Sequence, residues 1–508
     1  MPQPLDAGRW LYTAEQTRRL DQLAIAAGTP GFELMLRAGR ACYRALRRRW
    51  PEVRRLTVLC GGGNNGGDGL VIAALAHEQQ LQVQVLMVGG EATLAKLQGE
   101  AREALQWAQQ RGVEVNGVSN ETVLEGELVV DALLGTGLQD APRGDFRRLI
   151  DTLNVSGLPV LAVDIPSGLC ADSGRVLGSA VRADLTLTLI GIKRGLLTHQ
   201  GPEHCGQLLF DDLQLDGELR DQVPSDLQLL GNEDLNRWLP RRPRHAHKGD
   251  HGHLLVVGGD HGMGGAVAMA AEAGMRCGAG LVSVATRAEH LALCNVRRPE
   301  LMVHGVRSGQ ELEPLLARAT VVVIGPGLGQ SAWSGQLLHA VQQLSVPLVV
   351  DADGLNLLLQ GELVGERRRD NWVLTPHPGE AARLLNCSVA EVQADRFAAV
   401  KELQHRFGGV VVLKGAGTLV ASADGLWLCP AGNPGMASGG MGDVLAGTIG
   451  ALLAQGLEQG QAVAAAVYAH SHAADLLAAQ QGERGLLATD LLQPLRQLLN
   501  PQLQAMEG

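Results

Sequence analysis

Short aliphatic runs that end in a glycine- or aspartate-bearing turn and lead into a helix recur along this chain, and few folds accommodate that alternation. In the first half Leu56 to Cys60, Val83 to Val88, Leu128 to Asp131, Val160 to Asp164 and Leu185 to Ile190 read as strands, separated by helical stretches such as Ala92 to Gln110. Ahead of them stand two helical patterns, the first capped by Thr13 with Gln16 in capping-box position and Gly28 past its end. In the second half the strands are His253 to Val257, Leu281 to Ala285, Val321 to Ile324, Pro347 to Asp351, Trp372 to Thr375 and Val410 to Leu413, with Gly264 to Gly278, Ser388 to Phe407 and Gln461 to Gln480 as the clearest helices. Such a succession predicts α/β domains, each a parallel sheet covered by helices. Between Asp211 and His247 the periodicity lapses and Pro224, Pro240 and Pro243 gather, so the 508 residues divide into two domains, 1–220 and 221–508.

Composition narrows the classes of partner. Forty-three basic against 53 acidic residues leave a net charge of −10, which argues against nucleic acid. No run of about 18 apolar residues occurs and the first residues lack a basic segment followed by an apolar one, so no membrane partner is expected and the expected location is cytoplasmic. The eight cysteines include no CxxC pair and read as free thiols in a reducing compartment.

The chemistry concentrates at the turns after the strands. GNPGMASGGMGDVLAG, Gly432 to Gly447, has no Cβ at Gly439, Gly440 or Gly442, so successive N–H groups can face one anion at the start of a helix. Asp443, in that helix's first turn, can take a proton from an attacking hydroxyl while those groups hold a phosphoryl group. No GxxxxGK[ST] is present, so this is not a P-loop. GGDHGMGGA from Gly258, GPGLG from Gly325, DADGLN from Asp351, TPHPGE from Thr375 and KGAGT from Lys414 supply further strand-end loops around one nucleotide-plus-acceptor site, with Asp353 and His377 among them. The histidines at 245, 247, 251 and 253 lack the spacing and carboxylate pattern of a zinc site.

In the first half GGGNNGGDG, Gly61 to Gly69, follows a strand and opens a helix, so it can cradle a diphosphate. The carbonyl oxygens of Asn64 and Asn65 suit a hard cation or a ribose. DALLGTG from Asp131 and VDIPSG from Val163 each place a carboxylate at a strand end.

In this order the second-half motifs closely resemble the dehydratase domain of the NAD(P)H-hydrate repair enzymes, a ribokinase-like fold, over roughly Asn232 to Leu499. The first-half motifs resemble, over roughly Leu11 to Asp212, the Rossmann-like three-layer epimerase domain fused to it in many prokaryotes. The resemblance implies repair of hydrated NADH and NADPH (NADHX and NADPHX): interconversion of R and S hydrates by the first domain and ADP-dependent dehydration of the S hydrate by the second. It further implies that Asn64, Asn65, Gly66, Gly67 and Asp68, with Gly135, Thr136, Gly137, Leu138, Gln139, Asp140 and Ala141, bind the epimerase substrate, that Asn65, Asp131 and Ser167 hold a potassium ion, and that Asp164 is the acid/base. In the second domain it implies that Ala266, Gly327 and His377 line the hydrate pocket, that Lys414, Gly415, Ala416, Gly417, Thr418 and Gly442 hold ADP with Mg²⁺, and that Asp443 is the base. A homo-oligomer is expected. Lys193-Arg194-Gly195 departs from an expected Lys-Pro-Gly, which questions that loop's conformation. The rival reading is a ribokinase-like small-alcohol kinase fused to a non-catalytic metabolite-binding or scaffold domain; retention of Asp164 with Asn65 and Asp131 speaks for catalysis.

Overall fold

A computed structural model of the chain describes residues 9–359 and 368–500. It divides into two compact units, Met1–Gln228 and Leu229–Gly508.

The first unit is built on a seven-stranded sheet in which every neighbouring pair is parallel. Its order is Val115–Gly117, Gln82–Met87, Arg55–Cys60, Leu128–Ala132, Val160–Val163, Leu185–Leu189 and Gln207–Asp211. The chain order reverses between Arg55–Cys60 and Leu128–Ala132, and a doubly wound sheet opens its ligand crevice at that point. The strands are near-continuous aliphatic runs because helices cover both faces. The Thr13–Gln16 capping box forms as read, Thr13 Oγ1 accepting from the Gln16 N–H at 3.1 Å.

The second unit carries a ten-stranded sheet. Met302–Gly305, Leu281–Thr286, His253–Val257, Val321–Ile324, Leu348–Val350, Trp372–Leu374 and Val410–Leu413 run parallel in that spatial order. Two antiparallel strands, Thr418–Ala421 and Leu426–Cys429, extend it, with Leu227–Leu229 at the outer edge. Here the order reverses between His253–Val257 and Val321–Ile324. The Met441–Ala454 helix packs on the sheet and on the Gly264–Arg276 helix, so closely that a Cβ at Gly447 would stand 2.0 Å from the Ala270 carbonyl oxygen. This contact positions the start of the Met441–Ala454 helix, and Asp443 with it.

Two readings need correction. Ser388 to Phe407 is two helices, Val389–Ala394 and Arg396–Phe407, because Asp395 leaves helical geometry (φ −146°, ψ 88°) to cap the second by accepting the Ala398 N–H at 2.9 Å. Ala92 to Gln110 is likewise Gly90–Leu94 and Gly99–Gln109, parted where Gly99 takes φ 53°. The antiparallel pair after Leu413 was not anticipated. Arg194 occupies the first position of a 3₁₀ turn, Arg194–Leu197, the position of a helical turn at which proline is also accepted.

Among the described residues no helix is long and apolar enough to cross a membrane. All eight cysteines are free, six of them buried.

Candidate active sites

At the first unit's switch point lies a cavity of about 790 Å³ lined by Asn64, Asn65, Asp68, Gly135 to Asp140, and Asp164. Gly66 and Gly67 sit buried in the first turn of the Asn64–Glu78 helix, and Ala141 packs instead beside Gly178, outside the lining. Asp164 ends its strand in a left-handed conformation, φ 67°, which a non-glycine residue holds only under constraint from its surroundings. There Asp164 Oδ1 accepts from the Leu189 N–H at 2.9 Å, from Thr188 Oγ1 at 3.4 Å and from Lys193 Nζ. Lys193 is buried, and Nζ also donates to the Leu189 carbonyl at 2.7 Å.

At the same cavity Asn65 and Ser167 meet at Leu134, and Asp131 holds Ser167. Leu134's carbonyl oxygen accepts from Asn65 Nδ2 at 3.2 Å and from Ser167 Oγ at 3.2 Å, and Asp131 accepts the Ser167 N–H at 2.8 Å and its hydroxyl at 2.6 Å. Burial pushes the Asp131 pKa up to about 6 against these hydrogen bonds. A buried carboxylate without a basic side chain, among carbonyl and hydroxyl oxygens, is a donor set suited to a hard cation.

In the second unit the site is assembled along the carboxyl edge of adjacent parallel strands. Asp351 follows Leu348–Val350, Thr375 follows Trp372–Leu374 and Lys414 follows Val410–Leu413. Lys414 Nζ donates to Asp351 Oδ1 at 3.0 Å, which also accepts from Thr375 Oγ1 at 2.7 Å, while Glu380 stands 3.9 Å from the same ammonium. Burial would depress the Lys414 pKa, but Asp351 and Glu380 hold it above its ordinary value. Gly440, at φ 91°, turns the chain into the Met441–Ala454 helix and lays Gly442 over this pair: a Cβ there would meet Asp351 Oδ2 at 3.3 Å and Lys414 Nζ at 3.5 Å. Asp443 follows in the first turn. Burial, reinforced by Asp351 and opposed by Lys414, raises its pKa to about 7, a value matched to a general base at neutral pH.

His377 caps the Pro378–Leu385 helix, its Nδ1 accepting the Gly379 N–H at 2.9 Å. Burial, with Lys414 and Arg383 nearby, lowers its pKa, so the neutral ring carries its proton on Nε2 and presents a donor. Ala266 and Gly327 come together where the GPGLG loop crosses the start of the Gly264–Arg276 helix, a Cβ at Gly327 lying 3.1 Å from that of Ala266. In the 414–418 loop Thr418 Oγ1 donates to the Gly415 carbonyl at 2.9 Å. Ala416 and Gly417 complete that turn before the Thr418–Ala421 strand.

Lys193, Asp351, Thr375, Glu380 and Arg396 carry parts of these sites that sequence reasoning left unassigned. Asp351 bore a readable signal, a carboxylate directly after an aliphatic strand, like Asp131 and Asp164. Arg396 bore none: it lies in a helix, is almost wholly buried, and donates from Nη2 to the carbonyls of Leu413 at 3.2 Å, Lys414 at 3.3 Å and Gly417 at 3.4 Å. Arg396 thus sets the shape of the KGAGT loop. Arg396→Met should destabilise the second unit by about 3 kcal/mol, since three buried carbonyls lose a charged donor, and should raise KM for the nucleotide more than it lowers kcat. Thermal unfolding together with steady-state kinetics checks both.

A doubly wound unit with a carboxylate and lysine at its switch point, joined to an α/β unit that sets Asp443 directly after a glycine laid over a lysine–carboxylate pair, has the make-up of a two-site α/β enzyme. A sequence profile for NAD(P)H-hydrate dehydratase matches residues 254–497, and one for the YjeF-related protein N-terminus matches 31–195. The chain is 50% identical over 492 residues to the bifunctional NAD(P)H-hydrate repair enzyme of Coxiella burnetii, covering 97% of this chain and 99% of that one. Its identity to the Escherichia coli enzyme of the same name is 48% over 503 residues, covering 98% and 96%. A solved ribokinase-like superfamily protein from Enterococcus faecalis superposes with TM-score 0.50 at 32% identity, covering 54% of this chain and 96% of that one. The chain belongs to the family of bifunctional NAD(P)H-hydrate repair enzymes.

Proposed function

We propose that this chain restores NADH and NADPH from their hydrates, the first unit interconverting R and S forms and the second dehydrating the S form with ADP, yielding AMP and phosphate. The observation that carries the reading is Asp443, a carboxyl with a pKa near 7 at the mouth of a glycine turn laid over Lys414 and Asp351.

Hydroxide is a poor leaving group, and phosphate is a better one. Asp443 takes the proton of the ring hydroxyl as the hydroxyl oxygen attacks the terminal phosphoryl group of ADP, the bond to the bridging oxygen breaks, and AMP leaves with its electron pair. The N–H groups of the turn at Gly440 to Gly442 and the Lys414 ammonium face the developing charge. The ring-nitrogen lone pair then breaks the carbon–oxygen bond, phosphate departs with the electron pair, and loss of a ring proton restores the double bond. Mg²⁺ would enter on the nucleotide and neutralise phosphate charge; Asp351 Oδ2, which accepts no hydrogen bond among the described residues, is the oxygen placed to hold it. Lys414 to Thr418 and Gly442 grip the nucleotide, while Ala266, Gly327 and the Nε2–H of His377 border the hydrate.

In the first unit Asn64, Asn65, Asp68 and Gly135 to Asp140 border the hydrate, Asp164 exchanges a proton at the reacting centre, and Asn65, Asp131 and Ser167 hold a potassium ion. Residues 1–220 would serve epimerisation and 221–508 dehydration, in a cytoplasmic homo-oligomer.

Acid-generated NADH hydrate, a mixture of epimers, supplied with ADP and Mg²⁺ should regain its full reduced-nicotinamide absorbance. Absence of recovery from either epimer would overturn the reading.

A further inference from the structure

Resting on the reading of the first unit as an epimerase, a second residue of its site can be assigned. Inverting a carbon that bears both hydroxyl and ring nitrogen by loss and re-addition of water takes a proton delivered to the hydroxyl leaving one face and another withdrawn from the water entering the opposite face. Asp164 is one such group, its Oδ1 already engaged by Lys193, the Leu189 N–H and Thr188. Beside Asp164 the same cavity is lined by the carboxyls of Asp68, Glu100, Asp140 and Asp21, the last from the Ala14–Ala26 helix, which packs Thr17 and Leu20 against the turn at Gly191. Asp21 makes no hydrogen bond or ion pair with any described residue. A half-buried carboxyl without a hydrogen-bond partner inside a ligand-sized cavity is available to a bound ligand. Its charged surroundings are Lys193, Asp164 and Glu100, and Asp68 and Arg18 also line the cavity. Burial pushes its pKa up to about 6, with Lys193 opposing and Asp164 and Glu100 adding to the rise, so part of the population carries a proton near neutrality.

We propose that Asp21 is the second proton-transfer residue of the epimerase site, paired with Asp164 across the bound ring. In one direction Asp21 gives its proton to the ring hydroxyl. The carbon–oxygen bond breaks, its electron pair leaves with water, and the ring-nitrogen lone pair forms the iminium. Water then adds to the other face, forming the new carbon–oxygen bond, and Asp164 takes the proton it sheds. The reverse direction exchanges the roles, and solvent resets both carboxyls.

The test uses the full-length protein and the purified R epimer, with conversion to S followed by chromatography. Asp21→Asn should lower kcat for inversion by about 10²-fold or more with KM changed less than about threefold, Asp21→Glu should recover part of that loss, and ADP-dependent dehydration of the S epimer should be unchanged. In ¹⁸O-labelled water the unmodified protein should place label in the hydrate as inversion proceeds. Inversion by Asp21→Asn at the unmodified rate, a loss confined to KM, or inversion without label would each overturn the proposal. An unmodified protein that fails to invert the R epimer faster than solvent alone would overturn the epimerase reading itself, and Asp21's role with it; normal inversion by both proteins would overturn only Asp21's role.

Discussion

Asp443→Ala is expected to lower ADP-dependent recovery of NADH from the S hydrate by about 10²–10⁴-fold, the usual contribution of a positioned proton acceptor. The loss should fall on kcat, because Lys414, Gly442 and the KGAGT loop, the residues proposed to hold the nucleotide, are untouched. Interconversion of the epimers, which uses residues of the other unit, should proceed at its original rate. The pH dependence follows from the direction of the shift: as the proposed base Asp443 would act only when deprotonated, and burial beside Asp351 raises its pKa to about 7. Activity of the unmodified protein should therefore fall as pH drops through about 7 and level off above it, whereas an ordinary carboxylate would lose activity only near pH 4. An alanine variant within threefold of the unmodified protein would remove Asp443 from the role of base.

Asp164→Asn carries the second large effect. With a mixture of epimers, ADP and Mg²⁺, the variant should recover NADH at the normal rate until the S fraction is spent, then continue only as fast as the R hydrate epimerises spontaneously. The enzymatic component of inversion should fall by about 10²-fold or more. The same change leaves the buried Lys193 ammonium without its carboxylate, so the first unit should lose about 3 kcal/mol of stability, read as a lower unfolding midpoint. Equal loss of activity on both epimers would contradict the division of labour between the two units.

Much of this was legible in the chain because a parallel α/β sheet is locally encoded. Runs such as Val321 to Ile324 and Val410 to Leu413 are buried on both faces and announce themselves as unbroken aliphatic stretches, and the turn after each marks the ligand edge. What escaped depends on contacts distant in sequence or on short polar strands. The strands Val115–Gly117, Gln207–Asp211 and Met302–Gly305 lie at or near sheet edges and lack long apolar runs. The hairpin joining Thr418–Ala421 to Leu426–Cys429 did carry an Asp424-Gly425 turn signal, which went unread. Arg396 and Lys193 take their roles from carbonyls and a carboxylate that only the folded chain brings to them. The helix break at Asp395 turned on one side chain capping the backbone three residues on, a competition that apolar periodicity does not register.

The central claim is that phosphorylation here is a means of expelling water from a damaged cofactor. The most direct measurement is the stoichiometry of the second site's reaction: pure S hydrate, ADP and Mg²⁺, with NADH, AMP and phosphate quantified together over one time course. The three should appear in equal amounts with no phosphorylated nicotinamide nucleotide released. A stable phosphoester accumulating with AMP while NADH fails to appear would contradict the account and make the second unit a kinase.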